Sequence, residues 1–136
     1  MADLSITAAN VAKGANAAVV SSYLAGASIT AGQSVYLDAA TGTIKLADAD
    51  ALASSDAVGV ALNNAASGQP IVYQRSGNIT IGATVAVGVA YYVSTTAGGI
   101  CLESDLSTGD FPHFLGFATS TTVIALNPRA CGVAKA

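Results

Sequence analysis

One histidine, two cysteines and eight carboxylates are the side chains with which this sequence could do chemistry. His113 sits in Phe111-Pro112-His113-Phe114, between aromatics and beside a turn-forming proline. A nucleophilic triad needs a base oriented by a carboxylate, and no serine lies in a G-x-S-x-G elbow. His113 is therefore read as a packing or hydrogen-bonding residue. Cys101, Cys131 and His113 form no C-x-x-C or H-x-x-x-H pair of zinc spacing. Two cysteines are too few for a disulfide scaffold, so free thiols are expected, with a single bridge as the alternative. Asp48, Asp50 and Asp56 suggest calcium, but an EF-hand loop wants an oxygen ligand at its fifth position and glycine at its sixth. Counted from Asp48, those positions hold Leu52 and Ala53, so the segment reads as a solvated acidic loop. No glycine-rich phosphate cradle occurs, and the glycosylation triplet Asn78-Ile79-Thr80 is a pattern common by chance. Tyr23, Tyr36, Tyr73, Tyr91 and Tyr92 could stack on sugars or bases. Four of them fall in or beside expected strands, which favours packing and interface roles. The expectation is a protein with no catalytic residue, no cofactor and no metal.

The elements that would position such groups are short strands, and they recur. A shift of 56 residues lays Ala25-Gly26-Ala27-Ser28-Ile29 on Ile81-Gly82-Ala83-Thr84-Val85. The same shift brings Gly32 to Gly88, Tyr36 to Tyr92, and Gly42, Ile44 and Leu46 to Gly98, Ile100 and Leu102. With one more residue inserted, Val58-Gly59-Val60-Ala61 falls on Leu115-Gly116-Phe117-Ala118. Matched glycines mark backbone positions that need an unusual φ or a missing side chain. Within the first half, residues 34–37 read as a strand from their β-branched and aromatic side chains, and after the turn Asp38 to Gly42 residues 43–46 alternate apolar and polar, as a half-buried hairpin partner does. Residues 91–94 and 100–102 repeat it. Acidic loops follow each hairpin, with room for one helical turn. Strands are then expected at 57–62, 70–74, 114–119 and 123–126, with Asn127-Pro128 ending the last. The fold class predicted is all-β, a small sandwich or barrel of short antiparallel strands built from two tandem related halves. The predicted organisation is an N-terminal arm over 1–20, one domain over 21–128 with halves at about 21–74 and 77–128, and a tail over 129–136.

Composition bears on partners. The chain of 136 residues holds 29 Ala and 14 Gly, and 52% of its residues are hydrophobic while only 10% are charged. Soluble domains usually carry about 25% charged residues. A lean core under a weakly charged surface implies burial between chains. The net charge is −3, and Lys13, Lys45, Arg75, Arg129 and Lys135 are scattered, so nucleic acid is not an expected partner. The uncharged run 76–102 is too rich in Gly, Ser and Thr for a spanning helix, and no membrane partner is expected. Synthesis in the cytoplasm is expected. Residues 1–20 carry too few large apolar groups to order alone. Ser5-Ile6-Thr7 and Ala17-Ala18-Val19-Val20 are the segments expected to pair with an exposed edge on a neighbouring subunit.

The run Val58-Gly59-Val60-Ala61-Leu62-Asn63-Asn64-Ala65-Ala66-Ser67-Gly68 leads to a strand ending near Gln74. Gly88 with a tyrosine pair and a glycine turn follow. The chain closes on Phe114-Leu115-Gly116-Phe117-Ala118 and Val123-Ile124-Ala125-Leu126-Asn127. Over about 57–128 this pattern resembles the small capsid decoration, or cement, proteins of tailed bacteriophages. The resemblance implies a β-rich virion protein that stabilises the shell. It would bind the major capsid protein on the outside of the head, often as a homotrimer at three-fold positions. The N-terminal half departs from the shorter family pattern by its extra repeat. A head-binding or linker domain of a tail fibre or spike is the main alternative, and a carbohydrate-binding module the second.

Overall fold

The computed structural model describes residues 3–130 and 132–135. The first half holds the hairpin β3 (Ser34–Asp38) and β4 (Thr43–Leu46), a single helical turn α1 (Leu52–Ser55) and β5 (Ala57–Ala61). The second holds the hairpin β7 (Ala90–Val93) and β8 (Ile100–Cys101), a 3-10 turn at Glu103–Asp105, β9 (His113–Ala118) and β10 (Val123–Ala130). Between them runs β6 (Pro70–Ile81), and ahead of them lie β1 (Val11–Lys13) and β2 (Ala18–Leu24). The sheet order is β4-β3-β5-β6-β10-β9-β7-β8, with β1 and β2 also paired to β6. The fold is all-β and antiparallel, a sheet curled into a half-barrel.

The pairing registers of the two halves agree residue by residue. Tyr36 opposes Lys45 and Leu37 opposes Ile44; Tyr92 opposes Cys101 and Val93 opposes Ile100. Val35 opposes Gly59 and Tyr36 opposes Ala57 across a bulge; Tyr91 opposes Gly116 and Tyr92 opposes Phe114 across another. The Gly32 N–H donates to the Ala61 carbonyl, and the Gly88 N–H to that of Ala118, both at 2.8 Å. Gly42 and Gly98 sit in the hairpin turns at φ +70° and +80°, where a Cβ would be strained. At Gly59 a Cβ would overlap the carbonyl of Gln74, and at Gly116 that of Ala125.

The core is built from β-branched residues, which suit the pleated surface. Val35, Ile44, Ile71 and Tyr73 fill the first half with Ala25 and Ile29. Ile79, Ile81, Tyr91, Val93, Ile100, Leu115, Ile124 and Leu126 fill the second, and Ala47, Ala57 and Val60 of the first half join them. Ala49, Cys101 and Leu106 make a third, small cluster against Tyr92.

Strand β6 is far longer than the expected 70–74 and serves both halves. Its first part pairs with β2 and β5, its second with β10 and β1. The change of partners falls at Gly77, φ +89°. There the buried Gln74 side chain donates to the carbonyls of Ser76 (3.1 Å) and Asn78 (2.8 Å).

Two segments differ from the expectation. Residues 1–20 do not form a separate arm: their described part folds onto this chain. The Leu4 N–H bonds the Ile100 carbonyl (2.9 Å) and the Thr7 N–H that of Gly82 (2.8 Å). Leu4, Ile6 and Val11 pack on the second core, and Ile6 occupies the space left by the missing side chain of Gly32. The physical reason lies in the two halves. In the first, Gly26 bonds Ile44 directly at 2.7 Å. In the second, residues 4–7 stand between the corresponding Gly82 and Ile100, with Leu4 and Ile6 packed on the second core. At the other end, β10 continues through Asn127-Pro128 to Ala130 by a bulge between Leu126 and Arg129. The expected tail is tied back: the Lys135 N–H donates to the Asp110 carbonyl (2.6 Å) and the Gly109 N–H to that of Lys135 (2.9 Å).

Candidate functional site: an open edge and an aromatic cleft

The titratable groups do not converge. His113 is buried at the start of β9, with Nδ1 4.0 Å from the exposed carboxylate of Asp56. Neither ring nitrogen has a hydrogen-bond partner. Burial holds the imidazole below its ordinary pKa, against the opposing pull of Asp56. Cys101 is a buried free thiol. Burial, aided by the Asp3 and Asp105 carboxylates, pushes its pKa up to about 12, which makes it a poor nucleophile. Cys131 lies outside the described residues. Asp48 accepts from the Asp50 N–H (3.0 Å) and the Ser54 hydroxyl (3.0 Å), which fixes its loop. No group of three His, Cys, Asp or Glu is placed to hold a metal among the described residues. No described helix is long and apolar enough to cross a membrane.

The tyrosines do not form one platform. Tyr73 and Tyr91 are buried; Tyr23 stacks near Tyr73 with ring centroids 6.4 Å apart, and the Tyr91 hydroxyl accepts from the Ala86 N–H (2.9 Å).

Of the residues expected to meet a partner, Ser5, Ile6 and Thr7 lie against this chain's own second half, as described above. Ala17 adjoins Gly77. Ala18, Val19 and Val20 begin β2 and pair with Ser76, Gln74 and Tyr73. Their backbone is thus satisfied on one side by β6. The outer side of β2 is an open edge, since β6 is its one strand partner among the described residues. β4 runs close to β2 without a strand ladder between them, and just past the end of β2 Ala25 bridges Ile44. β2 carries no charge and no proline, and Val19 and Leu24 are 40% and 50% exposed. The second part of β6 holds the corresponding place beside β10, and there β1 covers the outer edge.

A second surface went unseen in the sequence. Tyr92, Phe114 and Phe117 touch edge to face on the outer side of β7 and β9, with ring centroids 5.9 and 5.0 Å apart. Phe117 is 53% exposed. Beside them a cleft of about 300 Å³ is lined by Tyr92, Glu103, Pro112, Phe114, Arg129 and Lys135. The Lys135 ammonium pairs with Glu103 and donates to the Leu106 carbonyl (2.8 Å). Strict alternation puts residues 114 and 117 on opposite faces of a strand. The bulge across from Tyr91 and Tyr92 inserts one residue into β9 and returns both to one face. The signal available in the sequence was Gly116 between them, at the position matched by Gly59.

No protein-family model, curated protein or solved structure matches this chain.

Proposed function

We propose that this chain is a virion structural protein, a capsid decoration or cement protein. It binds the outer surface of a bacteriophage head through the major capsid protein and stabilises the shell, with copies associating on the lattice as a trimer. The observation that carries this reading is the open outer edge of β2. Soluble proteins blunt such edges with lysine, proline or a covering segment. Here β1 covers the matching edge on β6, while Ala18–Leu24 is left with exposed Val19 and Leu24 and no charge. Such an edge accepts an extended segment by strand addition, in which backbone bonds give affinity and alternate side chains give selectivity. The matching registers also support a tandem duplication, in which the first half keeps an uncovered version of an edge that the second half covers.

The test uses a variant with Val19→Lys and Ser21→Lys, both at exposed positions. Its melting should match the parent, and its binding to undecorated heads should fall at least roughly tenfold. Unchanged binding by a folded variant would remove β2 as the contact.

A further inference from the structure

We propose that the aromatic cleft on β7 and β9 is a self-association site whose occupant is the acidic turn around Leu52 of a second copy.

The cleft has features of an interface anchor point: tyrosine, phenylalanine, proline and arginine line it together with the Glu103–Lys135 ion pair. Arg129 lies opposite Phe114 in the β9–β10 register. Its guanidinium has no ion-pair partner among the described residues, whereas Lys135, which also lines the cleft, is neutralised by Glu103. The cleft therefore presents one free positive charge beside an apolar hollow. What fits it is an apolar side chain next to a carboxylate.

The chain itself offers that combination. Leu52 is 53% exposed on α1. Asp50 is exposed two residues before it and has no cationic partner among the described residues. The turn is held rigid by the Asp48 bonds to Asp50 and Ser54, and by the Phe111 N–H on the Ala49 carbonyl (2.8 Å). Little ordering cost would remain on docking. Seating Leu52 against Phe114 and Pro112 buries the exposed Leu52 on half-buried apolar neighbours, and Asp50 then answers Arg129. The patches are unlike, so the contact is heterologous. It closes into a ring where the rotation between copies allows, as the proposed trimer requires. The contact itself does not depend on capsid binding, and its test contains no capsid.

The test is sedimentation of the full-length protein at low salt across concentrations up to about 1 mM, for four forms. The parent should self-associate. Asp50→Arg and Arg129→Asp should each weaken association at least roughly tenfold, because each sets like charges together. The double variant with both changes should regain it, since the pair is reversed and not removed. Melting curves should coincide for all four, as both positions are exposed. A parent that stays monomeric throughout overturns the proposal. So does a double variant no better than the single ones, or a glycan array in which this cleft takes a sugar while the four forms sediment alike.

Discussion

Among the described residues, Gln74 and His113 are buried with side-chain polar atoms left unsatisfied, and they have opposite effects. Gln74 uses its amide N–H groups to hold β6 where the strand changes partners, while its Oε1 has no partner. Replacing it with leucine keeps most of the volume but leaves the Ser76 carbonyl without that donor. The expected loss is about 1–3 kcal/mol, measured by denaturant unfolding; an unchanged midpoint would show that the clamp is idle. His113 contributes in the other direction. Its folded pKa lies below the ordinary 6.5 through burial, so the unfolded chain binds a proton that the native state refuses. Stability is then full above about pH 6.5 and declines as pH falls below it toward the lowered native value. The Asp38 carboxyl, held down chiefly by Lys45, titrates below its ordinary 3.8, so a melting series from pH 7.5 to 5 isolates the histidine. His113→Leu should flatten that series. A slope that persists in the variant would assign it to another group.

At the scale of elements, the hairpins were legible because alternation and glycine turns are local. Thr43 to Leu46 shows a period of two, and Gly42 and Gly98 lie where positive φ was expected. The turn at Leu52–Ser55 fell in a loop with room for one. What stayed hidden was non-local. Nothing in Pro70 to Ile81 shows that one strand serves two halves, because its second part reads as strand, glycine and strand again. The residues before it looked too small to order alone, and they do not order alone: β1 forms because β6 supplies the edge. The aromatic face was hidden by the β9 bulge, which alternation cannot foresee. These elements make two predictions. Gly116→Ala would set a Cβ against the Ala125 carbonyl, as Gly59→Ala would against Gln74. Each should cost on the order of 3 kcal/mol by shifting backbone, and equal losses on thermal melting would show that the two positions play one role. Deleting residues 1–16 removes Leu4, Ile6 and Val11 from the second core. The truncated protein should melt well below the parent; coincident curves would mean that the segment contributes nothing to the fold.

Considered whole, the molecule is an antiparallel curled sheet with an unpaired strand edge at β2 and an aromatic cleft on β7 and β9. The isoleucine-lined cores show that the composition understated what one chain can bury. Exposed apolar side chains include Val19 and Leu24 on β2 and Phe117 beside the aromatic cleft, and the two places suit partners of different chemistry: backbone for the edge, an apolar group with a carboxylate for the cleft. A lattice protein needs both kinds of contact, one to the shell and one to its sisters. The most direct test of the proposed role is cryo-electron microscopy of phage particles incubated with this protein. The capsid account predicts density for the half-barrel over the capsomers, with β2 facing the shell. Density confined to the tail, or bare capsomers, would contradict it.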